Sequence, residues 1–307
     1  MSRVVAFTKM VGTGNDFIIV DTVRHRALSA LRSQWSTLAK TVCDRRTGIG
    51  ADGVLVLEPS RTADCRMRVL NADGSEAEMC GNGARCVAAW VSRWPKRSRK
   101  PVTLETKGGL VRAEIRSECV HMQMPDPKDL DPHLNVTLDH HALDLGFVNT
   151  GVPHVVLAVD ALDEVDVEQL GHQLRYHQAF APRGTNVNFL EAAPGATRVR
   201  IRTYERGVEG ETLACGTGAT AAAIIHAVRH VRGHRAQQVR INLETRSGDI
   251  LTVAFRVEPS SAHGSAPRVT HVILEGPVQT ICEGTFSWPL SRTSAKHRNP
   301  EKAMLSC

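Results

Sequence analysis

Bulky apolar residues along the chain fall into short runs separated by turns rich in Gly, Asp and Asn, a pattern of strands more than of long helices. In the first half the runs Phe17–Val20, Val54–Leu57, Met67–Leu70 and Leu110–Ile115 predict strands. Ala84–Val91 follows a Gly-rich turn and predicts a helix. The second half reads alike. Val155–Val159, Val187–Leu190, Val199–Thr203, Val239–Leu243 and Ile250–Phe255 predict strands, and Ala219–Val228 predicts a helix. That helix carries few polar side chains, so it is expected to be buried.

Three segments recur in the same order. Thr13-Gly14 with Phe17-Ile18-Ile19 and Asp21 matches Thr150-Gly151 with His154-Val155-Val156 and Asp160, at an offset of 137 for the first residue. The stretch EAEMCGNGA, 76–84, matches ETLACGTGA, 211–219, at an offset of 135. LETKGG, 104–109, matches LETRSG, 243–248, at an offset of 139. One such match is within reach of coincidence; three in order predict two homologous halves. The expectation is an α+β fold of two pseudo-symmetric lobes, 1–125 and 126–269, joined at Met124-Pro125-Asp126-Pro127. The apolar run within 270–282 is expected to return to the first lobe, and 283–307, polar and rich in Ser, Lys and Arg, to be a loose tail.

Composition narrows the class. With 307 residues, 42% hydrophobic and 23% charged, the chain reads as soluble and globular, not collagenous, disordered or a small disulfide scaffold. No apolar run approaches the ~18 residues of a membrane span. The start, MSRVVAFTKM, lacks an apolar signal region, so a cytoplasmic location and no membrane partner are expected. Net charge is +6, and its clearest basic run is Arg93 to Lys100. No nucleic-acid motif accompanies that run and aromatic residues are only 4%, so it reads as a solvated loop; a basic nucleic-acid-binding protein is the weaker alternative. The eight cysteines are expected to be free thiols. With no CxxC or HExxH and with scattered histidines, no metal site is expected.

The chemistry concentrates at two of those cysteines. Cys80 and Cys215 share the context Glu-x3-Cys-Gly-[Asn/Thr]-Gly-Ala, each before a predicted helix. A thiol there feels the positive end of the helix, which can draw its pKa down from ~8.5. The glycines let a carboxylate approach the backbone N–H groups. Two such turns facing one another across the lobes would set two thiols on opposite sides of one carbon. One thiolate then takes a proton while the other thiol gives one, which inverts a stereocentre without a cofactor. Cys43, Cys65 and Cys119 have no such context and read as small buried hydrophobes.

Two other readings fail on context. Gly48 to Gly53 fits GxGxxG but runs into a strand; Gly216 to Ala221 opens a helix with no strand leading directly into it and no acid about 20 residues on. Neither supports a nicotinamide site. Lys9 and Lys107 alone adjoin Gly-rich turns, and nothing further marks either as a pyridoxal-phosphate lysine. No cofactor is expected.

Across residues 5–282 the chain resembles the diaminopimelate epimerase family. The resemblance is carried by KMVGTGNDFIIVD (9–21), DRRTGIGADG (44–53), LNADGSEAEMCGNGARC (70–86), NTGVPH (149–154), RGTNVNF (183–189) and RTYERGVEGETLACGTGATAA (202–222). It implies two lobes, each a mixed β-sheet wrapped around a central helix, with the active site in the cleft between them. It implies cofactor-free inversion of LL-diaminopimelate to the meso form, in lysine and peptidoglycan precursor synthesis, often by a homodimer. Cys80 and Cys215 then align with the catalytic pair, and His154 and Glu205 with residues that assist proton transfer. Asn15, Asn71 and Asn186 align with substrate-binding amides, and Glu205-Arg206 with the recognition of a zwitterionic end. Gly81-Asn82 and Gly216-Thr217 would offer N–H groups to the reacting α-carboxylate. Gly53 and Val152 stand where some members have Gln and Asn, and Arg206 to Glu211 is one residue longer than a common form. A racemase of another amino acid in the same superfamily is the alternative.

Overall fold

The computed structural model describes residues 2–95, 101–116, 119–230, 235–258 and 267–289. Its first strand, β1 (Ser2–Gly12), turns at Thr13-Gly14 into β2 (Asn15–Asp21). The unbroken run Phe17-Ile18-Ile19-Val20 is apolar because β2 is covered on both faces. Ile18 and Val20 pack with Trp35 and Leu38 of the outer helix α1 (Trp35–Val42), while Phe17 and Ile19 face the inner core. β2 runs parallel to β3 (Gly53–Glu58), which is antiparallel to β4 (Cys65–Asn71), and β4 carries the short β5 (Glu76–Ala77). The inner helix α2 (Gly81–Ser92) follows, then β6 (Val102–Thr106) parallel to β4, β7 (Gly109–Arg116) and β8 (Cys119–Gln123).

The second half repeats this wiring. β9 (Lys128–Leu138) precedes β10 (His141–Asn149) and β11 (Pro153–Ala158), and the outer helix is α3 (Val167–Arg175). β11 is parallel to β12 (Asn186–Glu191), itself antiparallel to β13 (Arg198–Glu205), which carries β14 (Gly210–Thr212). The inner helix is α4 (Gly216–His230), followed by β15 (Gln237–Glu244), β16 (Ile250–Glu258) and β17 (Arg268–Pro277). As expected from its composition α4 is enclosed: Ala219, Ala221 to Ile225 and Ala227 are all buried. One apolar cluster surrounds both inner helices and runs through both lobes, so the two helix starts rest on one shared core.

The lobes exchange their closing strands. β9 leaves β8 and pairs with β10, whereas β18 (Gln279–Pro289) leaves β17 and pairs with β1. β17 lies between β16 and β8 and so joins the two lobes edge to edge. The loose tail expected from residue 283 is corrected for 283–289, which are strand. Phe286 and Trp288 alternate there with Thr285 and Ser287, and Trp288, 6% exposed, donates from Nε1 to Gln34 Oε1 at 2.8 Å. The polar members of that alternation are what made the segment look unstructured. Residues 290–307 and 96–100 of the basic run lie outside the described residues. Among the described residues no helix is long and apolar enough to cross a membrane.

Candidate active site

Cys80 and Cys215 stand at equivalent helix starts. Cys80 is the extended residue before α2; its carbonyl accepts from Ala84 N at 2.8 Å and its Sγ from Gly83 N at 3.5 Å. The carbonyl of Cys215 accepts from Ala219 N, also at 2.8 Å, and its Sγ lies 3.4 Å from Thr217 Oγ1. First-turn N–H groups have no partner within the helix, so both turns present donors. Both cysteines open onto one cavity of about 1030 Å³ between the lobes. The first lobe contributes Asn15, Asn71, Gly81 and Asn82 to its wall; the second contributes Asn186, Glu205, Arg206, Gly216 and Thr217. Val152 also lines it; at Gly53 a Cβ would lie 2.7 Å from Leu70 O, so the backbone there leaves no room for a side chain.

The wall is held by polar bonds within each lobe. Asn15 donates from Nδ2 to Asp52 Oδ2 at 2.6 Å, and Arg45 holds Asp52 Oδ1 at 2.8 Å. That orients Asn15 Oδ1 toward Cys80 Sγ, 3.9 Å away. Asn186 donates to Pro153 O at 3.0 Å and accepts from Arg206 N at 2.8 Å, so it shapes the turn that carries Glu205 and Arg206. Asn71 donates to Ser75 Oγ at 2.9 Å. Thr150 ties the first strand pair of the second lobe to the helix start, donating to Thr217 O at 3.0 Å.

His154 is fully buried and stands behind the cavity, outside its wall. Its Nδ1 is 3.2 Å from Asn188 Nδ2. Asn188 also donates to Val155 O at 2.9 Å and accepts from Thr203 Oγ1 at 3.0 Å, which fixes its amide. The His154 Nδ1 therefore accepts and the ring proton sits on Nε2, which has no partner. Gly218 has to be glycine: a Cβ there would collide with Asn188 Oδ1. Neither Asn188, Thr203, Asp52 nor Arg85 was singled out in the sequence. Leu55 and Val69 occupy the positions equivalent to Asn188 and Thr203, a contrast visible only once the strands are in register.

The thiol electrostatics correct the expectation drawn from the helix ends. Burial pushes the Cys80 thiol up, outweighing the Gly83 N–H that favours the thiolate; the Glu205 carboxyl adds to the rise. Burial also pushes Cys215 well up, with Glu205 acting the same way against Thr217 and the Gly218 N–H. In the free protein desolvation thus wins over the helix dipole. Burial raises the Glu205 carboxyl above its ordinary value as well, against opposing influences from Thr212 and Cys215. It lowers His154 to about 3, with Arg206 contributing, so this imidazole stays neutral. Arg206 itself is lowered by burial and by Arg175 and Arg183 nearby, against Glu209 and Glu78, which favour its charged form. Among the described residues no group of three His, Cys, Asp or Glu side chains converges as a metal ion would need.

The family model for diaminopimelate epimerase matches residues 7–128 and 146–269, one match per half. The diaminopimelate epimerase of Hydrogenobaculum sp. (strain Y04AAS1) is 37% identical over 291 residues, covering 92% of this chain and 99% of that protein. The diaminopimelate epimerase of Chlorobaculum tepidum is 38% identical over 282 residues, covering 91% and 100%. Among solved structures, a phenazine biosynthesis protein of the PhzF family from Bacillus anthracis superposes with a TM-score of 0.66 at 16% identity, covering 92% of this chain and 99% of that one. A hydroxyproline epimerase from Agrobacterium vitis superposes with a TM-score of 0.62 at 18% identity, covering 93% and 91%. At such identities the likeness is one of fold.

Proposed function

The chain belongs to the diaminopimelate epimerase family and is an isomerase, and on that premise we propose that it inverts one α-carbon of LL-diaminopimelate to give the meso form, with Cys80 and Cys215 acting from opposite faces. The observation that carries this reading is the pair of thiols at equivalent helix starts on one cavity. The thiolate of one takes the α-proton. The electron pair left on carbon takes a proton from the other thiol, which becomes the thiolate. N–H groups of Gly81-Asn82 and Gly216-Thr217 face the α-carboxylate and hold the charge that develops beside it. A substrate ammonium brought against the buried thiolate offsets the desolvation that raises both thiols in the free protein.

The far end of the substrate carries a second carboxylate and ammonium. Arg206 suits the carboxylate and the amides of Asn71 and Asn186 suit the rest, while the carboxyl of Glu205, bonded to Cys215 and near Cys80, stands beside the thiols and assists proton transfer. His154, neutral and fixed by Asn188, supports the second lobe's wall from behind. The homodimer is taken from the family resemblance, and sedimentation tests it.

Incubation in D2O tests the proposal. Because a thiol carries a single proton, early meso product should bear deuterium at the inverted carbon while remaining LL substrate bears almost none. Equal labelling of both would mean that one polyprotic base serves both faces, and the two-thiol reading would be wrong.

A further inference from the structure

Arg85 of α2 is wholly buried, and no carboxylate bonds it among the described residues. Its Nη2 donates to Thr13 Oγ1 at 2.5 Å and to Asn82 Oδ1 at 2.9 Å, while Nε and Nη1 are buried without any acceptor. A buried guanidinium without an ion-pair partner is costly to desolvate. The fold nevertheless keeps this one between its two inner helices.

The guanidinium bonds the Cys80 turn through Asn82 and lies beside the Cys215 turn. Asn82, which it holds, is two residues beyond Cys80 and donates across the lobes to Ala214 O at 3.2 Å, next to Cys215. A Cβ on Gly216 would lie 3.6 Å from Nη1, and one on Gly276 would lie 3.0 Å from Nε, so the absence of side chains there leaves the space it fills. The repeat makes the arrangement asymmetric. At the offset of 135, the residue equivalent to Arg85 is Thr220, whose hydroxyl donates to Gly216 O at 2.9 Å. One cation therefore stands behind two turns.

We propose that Arg85 is a positioning residue whose fixed positive charge offsets the negative charge as it passes between the Cys80 and Cys215 turns during inversion. The proposal rests on the two-thiol reading. In that reaction one thiolate is consumed and one is formed, so a single negative charge moves from one turn to the other and no net charge is gained. A cation bonded to one turn and beside the other is placed to serve each half of the cycle. The ionisable groups facing it are Cys80 and Cys86 on α2 and Asp249 in the turn before β16; Glu205 and Cys215 face Cys80 from the second lobe. Asp249 accepts instead from Ser247 Oγ at 3.1 Å. Glu205 opposes a Cys80 thiolate and Arg85 favours it, so removing Arg85 leaves the opposition unbalanced.

The test compares Arg85→Met, Arg85→Gln and Arg85→Lys with the unaltered protein. Cys80 alkylation by iodoacetamide is followed by peptide mass spectrometry at mildly alkaline pH, alongside kcat and KM on LL-diaminopimelate. A neighbouring opposite charge is worth about 1 to 3 pKa units, so Met and Gln should slow alkylation of the folded protein by at least ~10-fold, and leave it unchanged in denaturant. They should lower kcat at least ~10-fold with KM within about threefold. Lys keeps the charge and should restore the alkylation rate to within about threefold. If Met does not fold, Gln carries the same comparison. The proposal is overturned if a folded Met or Gln variant is alkylated at the original rate, or if Lys is slowed as far as they are. A Cys80→Ala arm separates the two ideas: retained inversion there defeats the two-thiol reading, whereas its loss beside an unaffected Arg85→Met defeats only the role of Arg85.

Discussion

Asn188 donates to His154 Nδ1 over 3.2 Å at register positions where the other lobe holds Leu55 and Phe17. Phe17 pairs with Gly53, and Leu55 follows two residues on; His154 pairs with Asn186, and Asn188 follows two residues on. The third member repeats the contrast, since Thr203 opposes Asn188 as Val69 opposes Leu55. The first lobe shows that this architecture folds with apolar residues in all three places. A buried polar trio with one orphaned N–H is therefore retained in the second lobe for something other than packing.

Asn188→Leu, which installs the residue of the first lobe, leaves His154 Nδ1, Val155 O and the Thr203 hydroxyl buried without this partner, so it should destabilise the fold by about 1 to 3 kcal/mol or more. It frees His154 from its fixed tautomer. We expect kcat to fall by about 10- to 100-fold, the scale of losing an outer partner that orients a working histidine. Unchanged kcat in a folded variant would mean that His154 needs no fixed orientation.

His154 also sets a pH dependence of stability. Its folded pKa of about 3 lies below the ordinary ~6.5 of the unfolded chain. Above that ordinary value both states are neutral and the residue has no effect on the slope. As pH falls from about 6.5 toward 3 the unfolded state takes up a proton that the folded state refuses, so stability drops. His154→Phe removes this component, and its urea midpoint should decline less steeply over that window than that of the unaltered protein. Parallel decline in the two proteins would show that His154 is not held neutral.

The parts of this molecule legible in the sequence are those where backbone and side-chain chemistry agree locally. The turns at Cys80 and Cys215 and the two inner helices were marked by Gly-x-Gly-Ala and apolar runs, and both helices stand where the pattern put them. Helices α1 and α3 were not, because each is short and amphipathic with no glycine signal before it. β18 was misread as tail from residue 283 because its aromatics alternate with Ser and Thr. The thiol shifts went against expectation because a helix dipole can be read from position, whereas depth of burial depends on the assembled fold. Arg85 and Asn188 sit inside the motifs already noticed, but their weight depends on what crosses between strands and lobes.

Discrimination between substrates should follow the charge at the far end of the cavity. Lysine lacks the second carboxylate and would leave the half-buried Arg206 without a substrate partner. Sites that pair a charged group with the substrate reject analogues lacking that partner strongly, so kcat/KM for lysine should be lower by at least ~10³-fold than for LL-diaminopimelate. Arg206→Met should raise KM for LL-diaminopimelate at least ~10-fold with a smaller change in kcat. Comparable turnover of lysine in a coupled chiral assay would assign the cavity end to a different substrate.

The cysteines give the sharpest test. Cys80→Ala removes the base for one direction of inversion and the acid for the other, and Cys215→Ala does the same with the roles exchanged. Each should lower inversion by ~10² to 10⁴-fold or more in both directions, the scale of positioned acid–base groups. Neither should unfold the protein, since Cys80 is only half-buried and Ala keeps most of the small volume of Cys215. Cys43 and Cys65 are buried in the apolar clusters of the first lobe, and Cys119 is half-buried in β8, all away from the cavity wall. Ala at these three should cost stability at most, by about 1 kcal/mol for the fully buried pair. Circular dichroism beside an NMR assay of LL and meso isomers separates the cases. Near-normal inversion by folded Cys215→Ala would defeat the assignment, and so would loss of inversion in a folded Cys43→Ala or Cys65→Ala, because neither thiol has a path to the α-carbon.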